Sequence, residues 1–262
     1  MRTTAIINQK GGVGKTVTAI NLAAIMAANH HKRVLLIDAD SQHNTTDFFG
    51  VTDEDGGLTA YLSGEADPYY ENMIQRTCVS GLDLLPGNNS LMDMDISAIR
   101  DGRVNRRCLV DLFTALAEDD AYDHVVVDCP PAFNAASTAA LAAVDEVIIP
   151  TKLDAFSVAG LSNMVHQVYN MRQVNPRLRV AGVLVTMWHK GVMQHEAELR
   201  KFDRLLPVFL QTIRDNRDRV TSMTYSGDPL IIHSPHSAAA VDYRRWVAEY
   251  LYREEEKHGQ AV

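Results

Sequence analysis

The residues best suited to phosphate chemistry lie together near the start of the sequence. Positions 8–16 read Asn-Gln-Lys-Gly-Gly-Val-Gly-Lys-Thr, between a short apolar run and a long apolar segment. Glycines let backbone N–H groups approach an anion, a lysine adds positive charge for the outer phosphates, and a threonine hydroxyl can bind Mg²⁺. The segment therefore predicts a phosphate-binding loop between a strand and a helix. The residues predicted to contact the nucleotide are Gly11, Gly12, Val13, Gly14, Lys15, Thr16 and Val17.

The loop departs from the common pattern G-x-x-x-x-G-K-[ST] at two positions. That pattern would place a glycine at position 9, where this chain has Gln9, and the loop contains an additional lysine, Lys10. The competing interpretation is a glycine-rich turn with a chance Gly-Lys-Thr. The strand and helix signals on either side favour the phosphate-binding interpretation.

Three aspartates follow apolar runs that predict buried strands. Asp38 and Asp40 come directly after Arg33–Ile37, and Asp128 ends the run His124–Asp128. The carboxyl ends of strands are where α/β sheets bind ligands, so these acids are expected beside the phosphate loop. Asp128 has the position of a Walker B aspartate, which holds hydrated Mg²⁺ together with Thr16. The alternative for Asp38 and Asp40 is that they cap the next segment.

Apolar runs alternate between strand and helix patterns along the chain. This alternation predicts an α/β fold with a mostly parallel central sheet and helices on both faces, as in P-loop nucleotide-binding proteins. We interpret residues 1–262 as a single domain without an N-terminal helix-turn-helix. The further predicted strands are 4–7, 82–85, 147–150 and 180–186, and the predicted helices are 19–28, 108–117, 158–171 and 238–253.

Composition narrows the classes of function. The formal net charge of -8 excludes a generally basic nucleic-acid binder, so any DNA contact must come from a local patch. No apolar run is long enough to span a membrane and no leader pattern is evident, so we expect a cytoplasmic protein. The three cysteines are too scattered for a disulfide framework or a CxxC metal site.

Three motifs in order resemble the ParA partition ATPases, within the ParA/MinD group with a deviant Walker A loop. They are the loop at 10–16, Leu36-Ile37-Asp38-Ala39-Asp40-Ser41-Gln42, and Val127-Asp128-Cys129-Pro130-Pro131. The resemblance extends over nearly the whole chain. It implies ATP and Mg²⁺ as cofactors and an ATP-dependent sandwich dimer that hydrolyses ATP weakly until a partner stimulates it.

The resemblance also implies roles for individual residues. Lys10 would reach the phosphates bound by the partner subunit, whereas Lys15 would contact the β- and γ-phosphates in its own subunit. Asp40 would orient the attacking water, and Asp38 would lie on the metal side with Thr16 and Asp128. Catalysis would then depend on positioning and charge neutralisation.

Several positions differ from the usual family pattern. Val17 replaces a threonine and Ser41 a proline, which bears on an α-phosphate contact and on the rigidity of the first switch. The usual Thr-Met-Tyr-Asp is here 186–189, Thr-Met-Trp-His, and Ile-Pro-Arg-Asn is here 213–216, Ile-Arg-Asp-Asn. The residues that enforce adenine specificity are thus left open.

The resemblance implies nonspecific binding to nucleoid DNA by the ATP-bound form and a ParB-like centromere-binding partner. The cargo would be a plasmid, a chromosome or a mobile element. Between Lys190 and Arg219, acidic residues interleave with the basic residues. An ordinary solvated helical face is therefore an equal alternative to a DNA-binding patch in this segment. The candidate DNA contacts are Lys190, Arg200, Lys201, Arg204, Arg214, Arg217 and Arg219.

Three other protein classes compete with this interpretation. A MinD-like positioning ATPase would need a basic amphipathic C-terminal helix, but the C-terminal region carries Glu254-Glu255-Glu256, which anionic lipid would repel. A bacterial tyrosine autokinase is suggested by Tyr243, Tyr250 and Tyr252, which are also explained as interior and rim aromatics. An iron–sulfur reductase would need cysteines arranged to bind a cluster at the dimer face, and the three cysteines of this chain do not have that arrangement.

Overall fold

The computed structural model describes residues 1–52, 57–63, 72–101, 107–154, 157–192 and 206–259. Within this part, seven strands form one sheet. Their bounds are β1 Arg2–Ile6, β2 Val34–Asp38, β3 Gln75–Arg76, β4 Leu82–Leu85, β5 His124–Asp128, β6 Glu146–Lys152 and β7 Arg179–Thr186.

The strand order is β3-β4-β2-β5-β1-β6-β7, and every pairing is parallel except β3 with β4. The carboxyl ends of β1, β2 and β5 therefore meet at one edge. Asp38 and Asp128 are register partners there, with Ile6 opposite Asp128 on the other side. This confirms the predicted α/β fold with a mostly parallel central sheet.

Helices cover both faces of the sheet. Their bounds are α1 Lys15–His30, α2 Asn44–Phe49, α3 Gly57–Ser63, α4 Ser90–Asp101, α5 Cys108–Glu118, α6 Ala135–Ala143, α7 Ser157–Met171, α8 Arg217–Ser226, α9 Leu230–His233 and α10 Ala238–Gly259.

Strand residues alternate between two cores because successive side chains point to opposite faces. Leu35 and Ile37 pack with helices α5, α6 and α7, whereas Val34 and Leu36 pack with α1 and α10. Helix α1 is buried on nearly every side because it lies between the sheet and α10. The phosphate loop is thus attached to the most enclosed helix of the fold.

The structure shows where the C-terminal helix places its acids and tyrosines. Glu254, one of the three acids expected to repel anionic lipid, is buried and pairs with Arg179 at 3.3 Å. Tyr243 and Tyr250 are buried, while Tyr252 is 60% exposed. Among the helices in the described ranges, none is both long and apolar enough to cross a membrane.

Candidate functional site

The segment between β1 and α1 forms an anion cradle. Gly12 and Gly14 have φ angles of 69° and 84°, which L-residues with a side chain rarely adopt, and a Cβ built at either would meet no atom within 4 Å. Open space therefore lies in front of the loop, and α1 begins at Lys15, so its free N–H groups and dipole face that space.

Two side chains that were not among the predicted nucleotide contacts hold the loop in place. Asn8 accepts a hydrogen bond from the Lys10 backbone N–H at 3.0 Å and donates one to the Pro150 carbonyl at 2.7 Å. The Thr186 hydroxyl donates to the Val13 carbonyl at 2.9 Å. Residues of strands β6 and β7 thus hold the loop that follows β1.

Lys15 is buried at the base of the cradle. Burial lowers the pKa of its ammonium group, and the negative charges of Asp128 and Asp40 act in the opposite direction. The two acids therefore favour a charged lysine. Such a cation can neutralise phosphate oxygens that enter the cradle.

Asp38 and Asp128 lie side by side at the carboxyl ends of β2 and β5, and both are fully buried. Asp38 Oδ2 accepts from the N–H and the hydroxyl of Thr46, each at 2.8 Å, and Asp128 Oδ2 accepts from the Thr45 hydroxyl at 2.9 Å. Burial raises the pKa of both carboxyl groups, and the charge of Asp38 raises that of Asp128 further. Two adjacent acids with little compensating positive charge are a poor structural pair.

These acids fit the requirements of Mg²⁺. Asp128 Oδ1 is buried and has no hydrogen-bond partner among the described residues, while the Thr16 hydroxyl is close enough to lower the Asp128 pKa. Within the described ranges no group of three or more His, Cys, Asp or Glu converges as in a protein-only metal cage. Mg²⁺ commonly uses one or two carboxylates together with phosphates and water, which matches this set.

Asp40 lies at the rim of the same site, 9% exposed. Its Oδ1 accepts from the Gln42 N–H at 3.0 Å, and its own N–H donates to Asp38 Oδ1 at 3.2 Å. The turn therefore orients the Asp40 carboxylate relative to the deeper Asp38. A rim carboxylate with access to solvent is suited to contact water.

Lys10 forms an ion pair with Asp154, which follows β6. Both side chains are about one-third exposed, at 36% and 34%. The additional lysine thus lies at the surface beside the cradle and apart from Lys15. Asp154 was not among the sequence-based candidates.

The candidate DNA contacts occupy different environments. Lys190, Arg217 and Arg219 are exposed, but Arg214 makes a two-pronged pair with Asp242, with Nε–Oδ2 at 2.7 Å and Nη2–Oδ1 at 2.8 Å. This pairing occupies two N–H donors of the Arg214 guanidinium and connects the loop after β7 to α10. The remaining candidates, Arg200, Lys201 and Arg204, lie outside the described residues.

Sequence reasoning missed Thr45 and Thr46, the hydroxyl donors of the acid pair. A signal existed, because Asn44-Thr45-Thr46 follows the Asp-x-Asp segment and begins a helix, α2. Sequence alone does not show that α2 turns back toward β2 and β5. Thr45 and Asp128 are far apart in the sequence, so their contact could not be predicted from neighbouring residues.

The fold and the site define a P-loop nucleotide-binding domain, because a mostly parallel sheet carries a glycine-rich loop on a buried helix and acids at the neighbouring strand ends. A family profile described as an AAA domain matches residues 1–180. The chain is 32% identical over 275 residues to the chromosome partitioning protein ParA of Caulobacter vibrioides, covering 100% of this chain and 98% of that protein. It is 35% identical over 263 residues to the chromosome-partitioning ATPase Soj of Thermus thermophilus, covering 98% of each.

A solved structure has a similar fold. Cobyrinic acid a,c-diamide synthase from Mycobacterium smegmatis, with bound ATP analogue and magnesium, is 26% identical with a TM-score of 0.80 over 97% of this chain and 96% of that chain. The protein therefore belongs to the ParA/Soj family of P-loop partition ATPases.

Proposed function

We propose that this protein binds ATP with Mg²⁺, forms an ATP-dependent dimer through Lys10, and hydrolyses ATP to drive segregation of a DNA cargo. The observation that carries the proposal is the charge arrangement around the phosphate loop. One lysine is buried with the acids, and a second lies at the surface beside the cradle. Hydrolysis of a phosphoanhydride needs positioning and charge neutralisation, and two lysines in these places can supply both.

Each side chain has a distinct task in this proposal. The N–H groups of Gly11 to Thr16 and the Lys15 ammonium bind the phosphates. Thr16, Asp128 and Asp38 would hold Mg²⁺, and the bound ion would neutralise phosphate charge. Asp40 orients the attacking water from the rim of the site.

Lys10 supplies the contact between subunits. Its side chain leaves Asp154 and reaches the phosphates held by the second copy. Phosphate offers a multiply charged partner in place of one carboxylate that is about one-third exposed, so ATP favours the exchange. The additional lysine thus couples nucleotide occupancy to dimerisation.

Light scattering of the Lys10→Ala variant tests this proposal. We expect ATP to dimerise the unchanged protein and to leave Lys10→Ala monomeric, while Lys10→Ala still binds ATP through Lys15. Lys32→Ala is a matched control, because Lys32 lies at the opposite end of the sheet beside Arg2 and His124. Unchanged dimerisation of Lys10→Ala would defeat the assignment.

We further propose that the dimer binds DNA nonspecifically and responds to a ParB-like centromere-binding protein that stimulates its weak hydrolysis. The names of the ParA and Soj relatives support a partition role. Exposed Lys190, Arg217 and Arg219 would contact DNA phosphates, so the ATP-bound form would associate with the nucleoid.

DNA binding measured with ATP, ADP and no nucleotide at several salt concentrations tests this part. We expect binding that requires ATP and falls steeply with salt. The double variant Arg217→Ala/Arg219→Ala should weaken it, whereas Arg177→Ala, at the other end of the sheet, should not. Equal DNA binding without nucleotide would exclude control by dimerisation.

A further inference from the structure

His43, between the rim acid Asp40 and helix α2, adopts a backbone conformation that is usual for glycine. Its φ is 41° and its ψ is 34°, in the left-handed region. There the Cβ atom crowds the following carbonyl oxygen, so a residue with a side chain is disfavoured. His31 has a similar backbone, but it follows α1, where this conformation commonly ends a helix. His43 precedes a helix, so helix termination does not account for it.

The backbone on the N-terminal side of His43 holds Asp40. The Gln42 N–H donates to Asp40 Oδ1 at 3.0 Å, and the His43 N–H donates to the Asp40 carbonyl at 2.8 Å. The carboxylate and the main chain of Asp40 are therefore both fixed by the peptide groups that lead into His43.

The backbone on the C-terminal side of His43 leads to the donors of the acid pair. The Thr45 hydroxyl donates to Asp128. The N–H and the hydroxyl of Thr46 donate to Asp38. Rotation about the N–Cα bond of His43 would move these donors relative to those of the preceding turn. The left-handed conformation of this one residue thus allows both sets of hydrogen bonds at once.

The side chain of His43 compensates for the unfavourable backbone. Its Nδ1 lies 3.0 Å from Asp47 Oδ1, one turn along α2, and the ring N–H donates because a carboxylate accepts. The Asp47 N–H donates in turn to the His43 carbonyl at 2.9 Å. The ring and the main chain of His43 are thus both bonded to the first turn of α2. An alanine at this position would keep the backbone crowding and lose the bond from the ring.

We propose that His43 is a positioning residue for Asp40: its bond to Asp47 maintains the left-handed turn, and the turn directs the Asp40 carboxylate toward the attacking water. The proposal rests on the proposed function, since it requires Asp40 to orient that water. His43 acts through the turn, whereas Lys15 and the loop glycines bind the phosphates. Loss of the bond should therefore slow hydrolysis without weakening ATP binding.

Single-turnover hydrolysis of ATP with Mg²⁺, together with calorimetric titration of ATP, tests the proposal. We expect His43→Ala to hydrolyse ATP about tenfold more slowly, because the left-handed conformation is disfavoured without the ring bond. Its affinity for ATP should stay the same. His31→Ala is the matched control, since His31 is a left-handed histidine at the opposite end of α1 from the phosphate loop. It should keep the full rate.

His43→Gly separates the backbone conformation from any other role of the ring. Glycine adopts positive φ as readily as negative φ, so it needs no ring bond, and its rate should fall by at most about twofold. A histidine that contacted the nucleotide or filled space would not be replaced by a smaller residue in this way.

Asp47→Ala removes the same bond from the other side. The Asp47 side chain is 67% exposed, so this change carries little risk to folding. We expect its rate to match that of His43→Ala. The double variant His43→Gly/Asp47→Ala should match His43→Gly, because glycine no longer depends on Asp47.

A full rate in His43→Ala or in Asp47→Ala would overturn the assignment, as would a rate of His43→Gly no higher than that of His43→Ala. A loss of ATP affinity in His43→Ala would indicate general damage to the site and would also overturn it. Failure of the proposed function gives a different result. The unchanged protein would then not hydrolyse ATP, or Asp40→Ala would hydrolyse it as fast as the unchanged protein.

Discussion

The two ends of the parallel sheet both bury carboxylates but compensate them differently. At the amino end, Glu146 is fully buried and pairs with Arg179 at 2.6 Å, while the Tyr250 hydroxyl donates to it at 2.7 Å. Arg2 and Glu254 complete this basal ion cluster. At the carboxyl end, Asp38 and Asp128 accept hydroxyl and N–H donors, and the buried cation that acts on Asp128 is Lys15.

This difference separates a structural ion cluster from the proposed metal site. The basal ion cluster matches two arginines to two glutamates and joins β1, β6 and β7 to α10, so it stabilises the fold without a ligand. The acid pair at the other end is poorly compensated, and its raised pKa values express that cost. A cation bound from solution would relieve it, which favours Mg²⁺ binding.

The largest effect is expected from breaking the basal ion cluster. Glu146→Ala removes the acceptor shared by the partly exposed Arg179 and the buried Tyr250 hydroxyl, so we expect a loss of about 3 kcal/mol in the free energy of unfolding. Urea denaturation measures it, with the exposed Glu118→Ala as control. A loss no larger than that of the control would show that this cluster does not stabilise the protein.

His124, at the same end, should make stability depend on pH. Burial, followed by the charges of Lys32 and Arg2, lowers its pKa to about 4. An unfolded histidine titrates near about 6.5, so between these values the unfolded chain binds more protons and stability falls as pH decreases. The loss should be on the order of 2 kcal/mol.

Thermal unfolding from pH 7 to pH 4 checks this prediction. His124→Gln should flatten the pH dependence, whereas His166→Gln, at an exposed position, should not. The same slope in the protein and in His124→Gln would assign the dependence to other groups.

Neutralising one acid of the Asp38–Asp128 pair should raise the free energy of unfolding, whereas breaking the basal ion cluster should lower it. Asp128→Asn removes the repulsion with Asp38, so we expect the free protein to gain about 1 kcal/mol and a few degrees in Tm. The extra stabilisation by ATP with Mg²⁺, relative to ATP with a chelator, should disappear.

Asp123→Asn provides the contrast for this prediction. Arg33 lowers the pKa of Asp123 to about 2 through hydrogen bonds, so its charge is compensated and its neutralisation should lower Tm. A lower Tm for Asp128→Asn as well would mean that the acid pair is not a source of strain.

The smallest effect is expected at the Lys10–Asp154 pair, because both side chains are partly exposed. Asp154→Asn releases Lys10, so dimerisation should need about two- to threefold less ATP, as for a surface ion pair. Scattering titrations measure this shift. The double variant Lys10→Ala/Asp154→Asn should behave like Lys10→Ala, and a shift that persists without Lys10 would contradict restraint of Lys10 by Asp154.

Much of the strand framework could be predicted from apolar runs that end in charged residues. The predicted strands at 82–85 and 124–128 have the observed bounds, because buried parallel strands are continuously apolar. The predicted helix at 19–28 begins at Lys15 in the structure, since the phosphate loop itself starts the helix. Strand β3, only two residues long and antiparallel, carries no such pattern and was not predicted.

The sequence by itself determined the local chemistry: a glycine-rich loop with two lysines, and aspartates placed at strand ends. These features could be predicted from the sequence because each depends only on residues that are close together along the chain. Only the tertiary structure decided the balance of charge. It compensates Glu146 with Arg179, engages Arg214 with Asp242, and places Asp38 beside Asp128 with Lys15 near Asp128. Coulomb energy depends on distance and burial in space, which spacing along the chain does not express.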